Sequence, residues 1–236
     1  MRPRALGQHY LVDPSAVSRI VSMAEIRRGE RVLEIGTGKG ALSSELAKVA
    51  DRLEGYEIDE SNLETTRSAV RGRKAKLHLG DAFRARPSFD VLVASLPYSR
   101  SSSFVEWISQ RSYDRAVVVL QRDFAEKIRA SPGQRDYRAV SVIAQASAEV
   151  REVGQVLRSS FSPEPRVNSV IVALRHKQTL TGHQLEGIKL LFSLRRRQVG
   201  AAMTGLGSSA PPELGGRRVY TLEPSQVLGL VAGMRF

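Results

Sequence analysis

Eleven residues, Val32-Leu33-Glu34-Ile35-Gly36-Thr37-Gly38-Lys39-Gly40-Ala41-Leu42, constrain the fold of this chain more than any other stretch. Val32, Leu33 and Ile35 are apolar, and two of them are β-branched, the composition of a short buried strand. Glycines at 36, 38 and 40 follow. They let the backbone turn sharply and approach a ligand with no Cβ in the way. The spacing of Leu42, Leu46, Ala47, Val49 and Ala50 predicts a helix that starts at once. Its unbonded N–H groups and positive dipole end point back at the glycines. Strand, glycine turn and helix make the first unit of a nucleotide-binding α/β sheet. The plainer alternative is a glycine-rich turn that holds no ligand; the acids Glu34 and Glu57, one on either side, weigh against it.

The pattern repeats along the chain. Asp13 and Pro14 cap and open a helix whose apolar face is Val17, Ile20, Val21 and Ala24. Arg52–Asp59 reads as a second strand, with Glu57 at the carboxyl end, where an open parallel sheet places a ribose diol. A solvated strand-end acid is the plainer reading of Glu57; its position favours the ligand. Ser61–Val70 is a helix and Lys76–Leu79 a strand, leading into Gly80-Asp81-Ala82-Phe83, where Asp81 can accept an exocyclic amine. Phe89–Ala94 is a nearly continuous apolar run, expected as a central strand covered on both faces. It delivers Ser95-Leu96-Pro97-Tyr98 to the crevice at the strand ends. Pro97 stiffens that turn, and Tyr98 offers a flat ring for stacking on a base, against the alternative of an ordinary core aromatic. Further strands are read at Ala116–Leu120, Val150–Leu157 and Val167–Leu174, the last two joined by a proline-bearing loop. From residue 176 the character changes to helical spacing at Gln184–Leu194, then Arg195-Arg196-Arg197, a loop over Gly205–Gly216 and a closing helix at Pro224–Val231. The expected architecture is α/β: a Rossmann-like sheet of seven strands with helices on both faces in residues 1–175, and a small basic helical domain in 176–236.

Composition narrows the partners. The chain has 236 residues and no cysteine, which excludes disulfides, cysteine zinc sites and a thiol nucleophile. No apolar run reaches the roughly 20 residues of a membrane span, and Met1-Arg2-Pro3-Arg4 lacks the apolar segment of a secretion signal, so a cytoplasmic protein is expected. The formal net charge is +12. Residues 174–236 hold 9 Lys and Arg against 3 Asp and Glu, half of the whole excess. Arginine-rich composition alone can produce such a surface, but its concentration in the tail points to nucleic acid.

Two nucleotides fit the glycine turn. Gly36-x-Gly38-x-x-Ala41, with Glu57 downstream, satisfies a dinucleotide fingerprint and hence a nicotinamide cofactor. The run Glu34-x-Gly36-x-Gly38-x-Gly40 resembles the opening motif of S-adenosylmethionine (SAM) methyltransferases. A carboxylate there suits the ammonium and sulfonium of SAM and repels a pyrophosphate. Separated motifs then agree. Residues 6–13 (Leu-Gly-Gln-His-Tyr-Leu-Val-Asp), 34–40, 57–59 (Glu-Ile-Asp), 80–82 (Gly-Asp-Ala), 96–98 (Leu-Pro-Tyr), 141–145 (Ser-Val-Ile-Ala-Gln) and 161–169 (Phe-Ser-Pro-Glu-Pro-Arg-Val-Asn-Ser) stand in the order and spacing of one family. The chain resembles the KsgA-type rRNA adenine N6,N6-dimethyltransferases, relatives of the Erm-type methyltransferases, from Leu6 to about Met203.

The resemblance implies roles. Gln8 touches SAM from the N-terminal arm, with Tyr10 closing over it. Gly36, Gly38 and Gly40 pass under the methionine part beside Glu34. Glu57, with Ile58 next to it, holds the ribose hydroxyls, and Asp81 with the Ala82 backbone reads the adenine of SAM. Tyr98 and Phe161 sandwich a flipped target adenine, whose N6 amine is held by the Leu96 carbonyl and the residue at 95. Arg195, Arg196 and Arg197 face RNA. The implied partner is small-subunit rRNA or the small ribosomal subunit, met by a monomer that needs no metal. One departure stands out: the family usually has Asn or Asp at position 95, and this chain has Ser95. A serine hydroxyl reaches less far and also donates, so an RNA-binding assembly factor with weak or lost catalysis is the alternative. An Erm-type enzyme acting on large-subunit rRNA and a nicotinamide dehydrogenase rank behind these two.

Overall fold

The structure, a computed structural model, describes residues 9–234. Strands are β1 (Tyr10–Leu11), β2 (Arg31–Ile35), β3 (Arg52–Glu57), β4 (Ala75–Leu79), β5 (Val91–Ser95), β6 (Arg115–Gln121), β7 (Ala148–Val156), β8 (Phe161–Ser162) and β9 (Ser169–His176). Helices are α1 (Pro14–Met23), α2 (Ala41–Val49), α3 (Glu60–Ala69), α4 (Ser101–Ser109), α5 (Arg122–Arg129), α6 (Ala139–Ser147), α7 (Gly182–Ser193), α8 (Val199–Gly205), α9 (Pro212–Gly215) and α10 (Pro224–Ala232). The chain divides into two compact units. The first runs to Phe104 and adds Ser112–Ala125 and Arg151–Arg175; the second takes Val105–Arg111, Glu126–Val150 and the chain from His176 on. The second unit thus includes 105–111 and 126–150, segments that the sequence reading assigns to the first domain.

Seven strands form one mixed sheet in the order β4-β3-β2-β5-β6-β9-β7. β4 through β6 run parallel, and β9 is antiparallel to β6, from Arg115↔Arg175 to Gln121↔Ser169. This is the expected Rossmann-like sheet. Val91, Leu92, Val93 and Ala94 of β5 are all fully buried, so both faces of the central strand are covered. The core gathers Val32, Leu46, Leu53, Val93, Val117 and Ile171 with the α1 face of Val17, Ile20 and Val21. Helix starts follow their capping residues. Asp13 accepts from the Ser15 N–H at 2.9 Å to open α1, and Asp59 accepts from Ser61 and Asn62 to open α3. The order of strands reverses at β2, with β3 on one side and β5 on the other. A crevice outside the strand carboxyl ends is expected at that switch point.

The N-terminal arm is not the plain extension that its sequence suggests. Tyr10 and Leu11 pair antiparallel with Ser162 and Phe161 as a separate two-stranded sheet, and the Ser162–Pro163 peptide is cis. In the second unit, α7 and α10 lie in close contact: a Cβ on Gly187 would stand 2.3 Å from Val231 Cγ1. Tyr137, fully buried, donates to the Leu222 carbonyl at 2.9 Å and meets Phe192 edge-on at 5.6 Å. Gly205–Gly216, expected as a loop, contains the one-turn helix α9. It starts at Pro212, a residue preset for a first helical turn.

Candidate active site

A cavity of about 230 Å³ opens at the strand carboxyl ends. Ile35 and Gly36 supply its floor from β2, Glu57 and Ile58 come from the end of β3, Asp81, Ala82 and Phe83 follow β4, and Ser95, Leu96 and Pro97 follow β5. His9 and Tyr10 enter from the arm. A smaller cavity of about 40 Å³ shares His9, Tyr10, Gly36, Gly38 and Ser95 and adds Glu34. Four separate strand ends thus bring most of the residues picked from the sequence together.

Glu57 is the best anchored of them. It is 4 % exposed. One carboxylate oxygen accepts from the Gly38 N–H at 2.7 Å; the other accepts from the Ile58 and Asp59 N–H groups at 2.9 and 3.0 Å. Three backbone donors fix the carboxylate and tie the glycine turn to β3. Each carboxylate oxygen has two lone pairs: Oε1 uses both, and Oε2 keeps one for a hydroxyl donor in the cavity.

The three glycines divide the work. All have positive φ. Gly38 lines the cavities, and a Cβ on it would stand 3.2 Å from the ring of Tyr10. Gly40 is not among the lining residues. It caps α2, and a Cβ there would meet Ala69 Cβ at 3.0 Å and Thr66 Cα at 3.1 Å. Gly40 therefore serves the contact of the turn with α3.

Glu34 also differs from expectation. It is wholly buried; one carboxyl oxygen accepts from Ser43 Oγ at 2.6 Å, and the other, Oε1, has no hydrogen-bond partner among the described residues. Desolvation pushes its pKa up to about 8, the Glu57 charge adding to the rise and the Ser43 hydrogen bond opposing it. At neutral pH this group keeps its proton, so the fixed negative charge read from the sequence is absent until a cation arrives beside it. With the folded pKa above the unfolded one, the stability it contributes is full below pH 4.5 and is lost as pH rises towards 8. Glu34→Gln, which cannot ionise, is expected to lack this loss. The difference in Tm between variant and wild type should move in favour of the variant between pH 5.5 and 8.5, by on the order of 5 °C in thermal melts. Parallel pH curves would refute the burial account.

Asp81 accepts from the Phe83 N–H at 2.9 Å through one oxygen and pairs with Arg100 Nη2 at 2.8 Å through the other. Ala82 is buried in the wall and Ile58 is largely exposed at the rim. Beyond Pro97, the Tyr98 hydroxyl shares a 2.6 Å hydrogen bond with Ser169, and burial raises its pKa. The Tyr98 ring stacks on His9 at 5.6 Å, and His9 Nδ1 lies 2.7 Å from the Pro163 carbonyl. His9 lines both cavities; the sequence places it in the 6–13 motif but gives it no role, unlike Gln8 and Tyr10 beside it. Arg100, Phe83, Tyr56 and Ser99 were missed as well.

Phe161 is not among the residues that line the two cavities. It is 4 % exposed and packed in the core with Leu11 and Val156. In β8 its partner across the ladder is Leu11, and alternation along the strand turns Ser162 outward instead. Gln8 lies outside the described residues. In the second unit, Arg195, Arg196 and Arg197 follow α7 as a turn pinned to the 217–220 segment. The Arg195 and Arg197 carbonyls accept from the Tyr220 and Val219 N–H groups, and the Arg196 carbonyl accepts from the Arg218 guanidinium. The side chains of Arg196 and Arg197 are exposed, and Arg195 is half-buried. Among the described residues no cluster of His, Asp or Glu could hold a metal ion, and no helix is long and apolar enough to cross a membrane.

Known proteins share this arrangement. The family model for ribosomal RNA adenine dimethylase matches residues 2–214. A probable ribosomal RNA small subunit methyltransferase A from Thermococcus gammatolerans is 34% identical over 252 residues, covering 100% of this chain and 90% of the relative. The crystal structure of a dimethyladenosine transferase from Plasmodium falciparum superposes with a TM-score of 0.84 at 25% identity, over 97% of this chain and 100% of that one. That of the 23S rRNA methyltransferase ErmE does so with a TM-score of 0.67 at 29% identity, over 94% and 98%. With a family model spanning most of its length and a relative alignable from end to end, the chain belongs to the ribosomal RNA adenine dimethylase family.

Proposed function

We propose that this enzyme transfers methyl groups from SAM to N6 of two adjacent adenosines near the 3′ end of small-subunit rRNA, as a step in ribosome biogenesis. The observation that carries the reading is one cavity in which a diol-binding carboxylate, an amine-accepting carboxylate and the Ser95-Leu96-Pro97 turn stand on neighbouring strand ends. The residues present fit SAM. Glu57 Oε2 keeps one lone pair for a ribose hydroxyl, Asp81 is the acceptor for the adenine amine, and the absence of a Cβ on Gly38 lets Tyr10 lie close over the turn. The buried Glu34 carboxyl, whose Oε1 has no partner among the described residues, stands at the methionine end, where a cation would favour its ionised form.

Bound SAM supplies a methyl group already activated on a sulfonium. The protein's task is the nucleophile, because the adenine N6 lone pair is delocalised into the ring. The Leu96 carbonyl and the Ser95 hydroxyl are the acceptors that hold the amine and turn its lone pair outward. Pro97 fixes that turn, and the stacked pair of Tyr98 and His9 supports an extruded base. Positioning of this kind accounts for the acceleration; the N–C bond would form as the S–C bond breaks to leave S-adenosylhomocysteine, and the N6 proton would pass to solvent once nitrogen has gained the methyl group. The domain spanning 176–236, with Arg195, Arg196 and Arg197, is the RNA-facing lobe, its cations meeting phosphate. The protein works as a monomer.

The test is methyl transfer to undermethylated small ribosomal subunits with labelled SAM, read by nucleoside mass spectrometry. Dimethyladenosine at two adjacent positions is the expected product. Absence of any methylated adenosine, with subunit binding retained, would overturn the reading in favour of an assembly factor.

A further inference from the structure

The Arg100 guanidinium lies in the larger cavity, on two groups that a nucleobase needs. Its Nη2 pairs with Asp81 at 2.8 Å, and its Cζ stands 4.6 Å from the centroid of the Phe83 ring. The other Asp81 oxygen is already held by the Phe83 N–H. Carboxylate and aromatic face are thus both covered by one flat cation. A guanidinium resembles the amidine edge of adenine: each is planar and each presents N–H donors to a carboxylate.

We propose that Arg100 is a resident stand-in for the adenine of SAM, which the base must displace to reach Asp81 and Phe83, so that this arginine sets how tightly SAM and its demethylated product S-adenosylhomocysteine (SAH) are held. The inference rests on the SAM reading above. Arg100 is built to leave: its side chain is 44% exposed and rises from the single 3-10 turn Tyr98–Arg100. Exposed ion pairs and cation–π contacts are each weak, so displacement lowers affinity without abolishing it. A guanidinium that yields to the base also returns when the product leaves, which favours turnover over tight product binding. The same turn carries Tyr98, so departure of Arg100 reports cofactor loading to the loop beside the target base.

The experiment is calorimetric titration of SAH and of adenosine into the wild type, Arg100→Ala and Arg100→Gln at low salt. Both variants are expected to bind both ligands about three- to tenfold more tightly. Raising salt should tighten adenosine binding by the wild type, as the ion pair is screened, and leave Arg100→Ala unchanged. Unchanged or weaker binding by both folded variants would overturn the proposal, the weaker result making Arg100 a direct ligand of the base. If the folded wild type binds neither SAH nor adenosine, the SAM reading itself fails and this inference with it. Binding by the wild type with no Arg100 effect removes only the inference.

Discussion

Replacing Glu57 with alanine is expected to weaken SAH binding by one to two orders of magnitude. On the SAM reading, the one lone pair that Oε2 keeps free accepts a ribose hydroxyl, and a hydrogen bond to a charged group contributes about 1.5–3 kcal/mol; tenfold in affinity is about 1.4 kcal/mol. The same change leaves the N–H groups of Gly38, Ile58 and Asp59 without their acceptor. Those groups border the cavity and regain water, so the loss of stability is smaller, about 1–2 kcal/mol or a few degrees in Tm. A 2′-deoxy analogue of SAH separates the two effects. It should bind the wild type more weakly than SAH does, while Glu57→Ala shows no preference between them, the signature of a coupled pair. Equal discrimination by both proteins would mean that Glu57 merely braces the glycine turn.

The large elements and the place of the cavity were legible from local pattern. Val91–Ala94 is so uniformly apolar that only a strand covered on both faces accommodates it, and that is how β5 sits. Asp13 marks a helix start through chemistry that acts within two residues, whereas Asp59, read as the end of a strand, caps α3. What escaped depends on contacts distant in sequence. Phe161 lies in a strand of two residues, too short for periodicity to tell its inward from its outward position. Gly38 and Gly40 look alike in sequence and differ in what lies above them, Tyr10 for one and α3 for the other. Glu34 reads as a charged acid beside a turn, because nothing local reveals that it is wholly buried beneath Ser43. Arg100 reads as a surface arginine after an aromatic; only the fold brings it to Asp81. The second unit likewise draws in segments from the middle of the chain, which no change of composition marks.

Ser95→Asn is expected to raise the single-turnover rate of methyl transfer, by roughly 10- to 1000-fold, the range for gaining one orienting hydrogen bond at a reacting centre. Ser95 ends β5, opposite Val119 of β6, and borders both cavities. Its backbone is therefore fixed by the sheet, while the residue stands at the edge of both cavities. The carboxamide oxygen reaches farther than a hydroxyl and is purely an acceptor, whereas serine can satisfy itself by donating elsewhere. Because the gain acts on the target amine, it belongs in the transfer rate and not in SAH affinity, which should stay within a factor of two or three of the wild type, a difference under about 1 kcal/mol. The gain should be larger for the second methyl than for the first, since monomethyladenosine has one N–H left and depends more on a well-placed acceptor. Ser95→Ala completes the comparison: a further fall in rate shows that the native hydroxyl already holds the amine. If Asn and Ala variants both match the wild type, position 95 does not touch the nucleophile, and the Leu96 carbonyl bears the orientation alone.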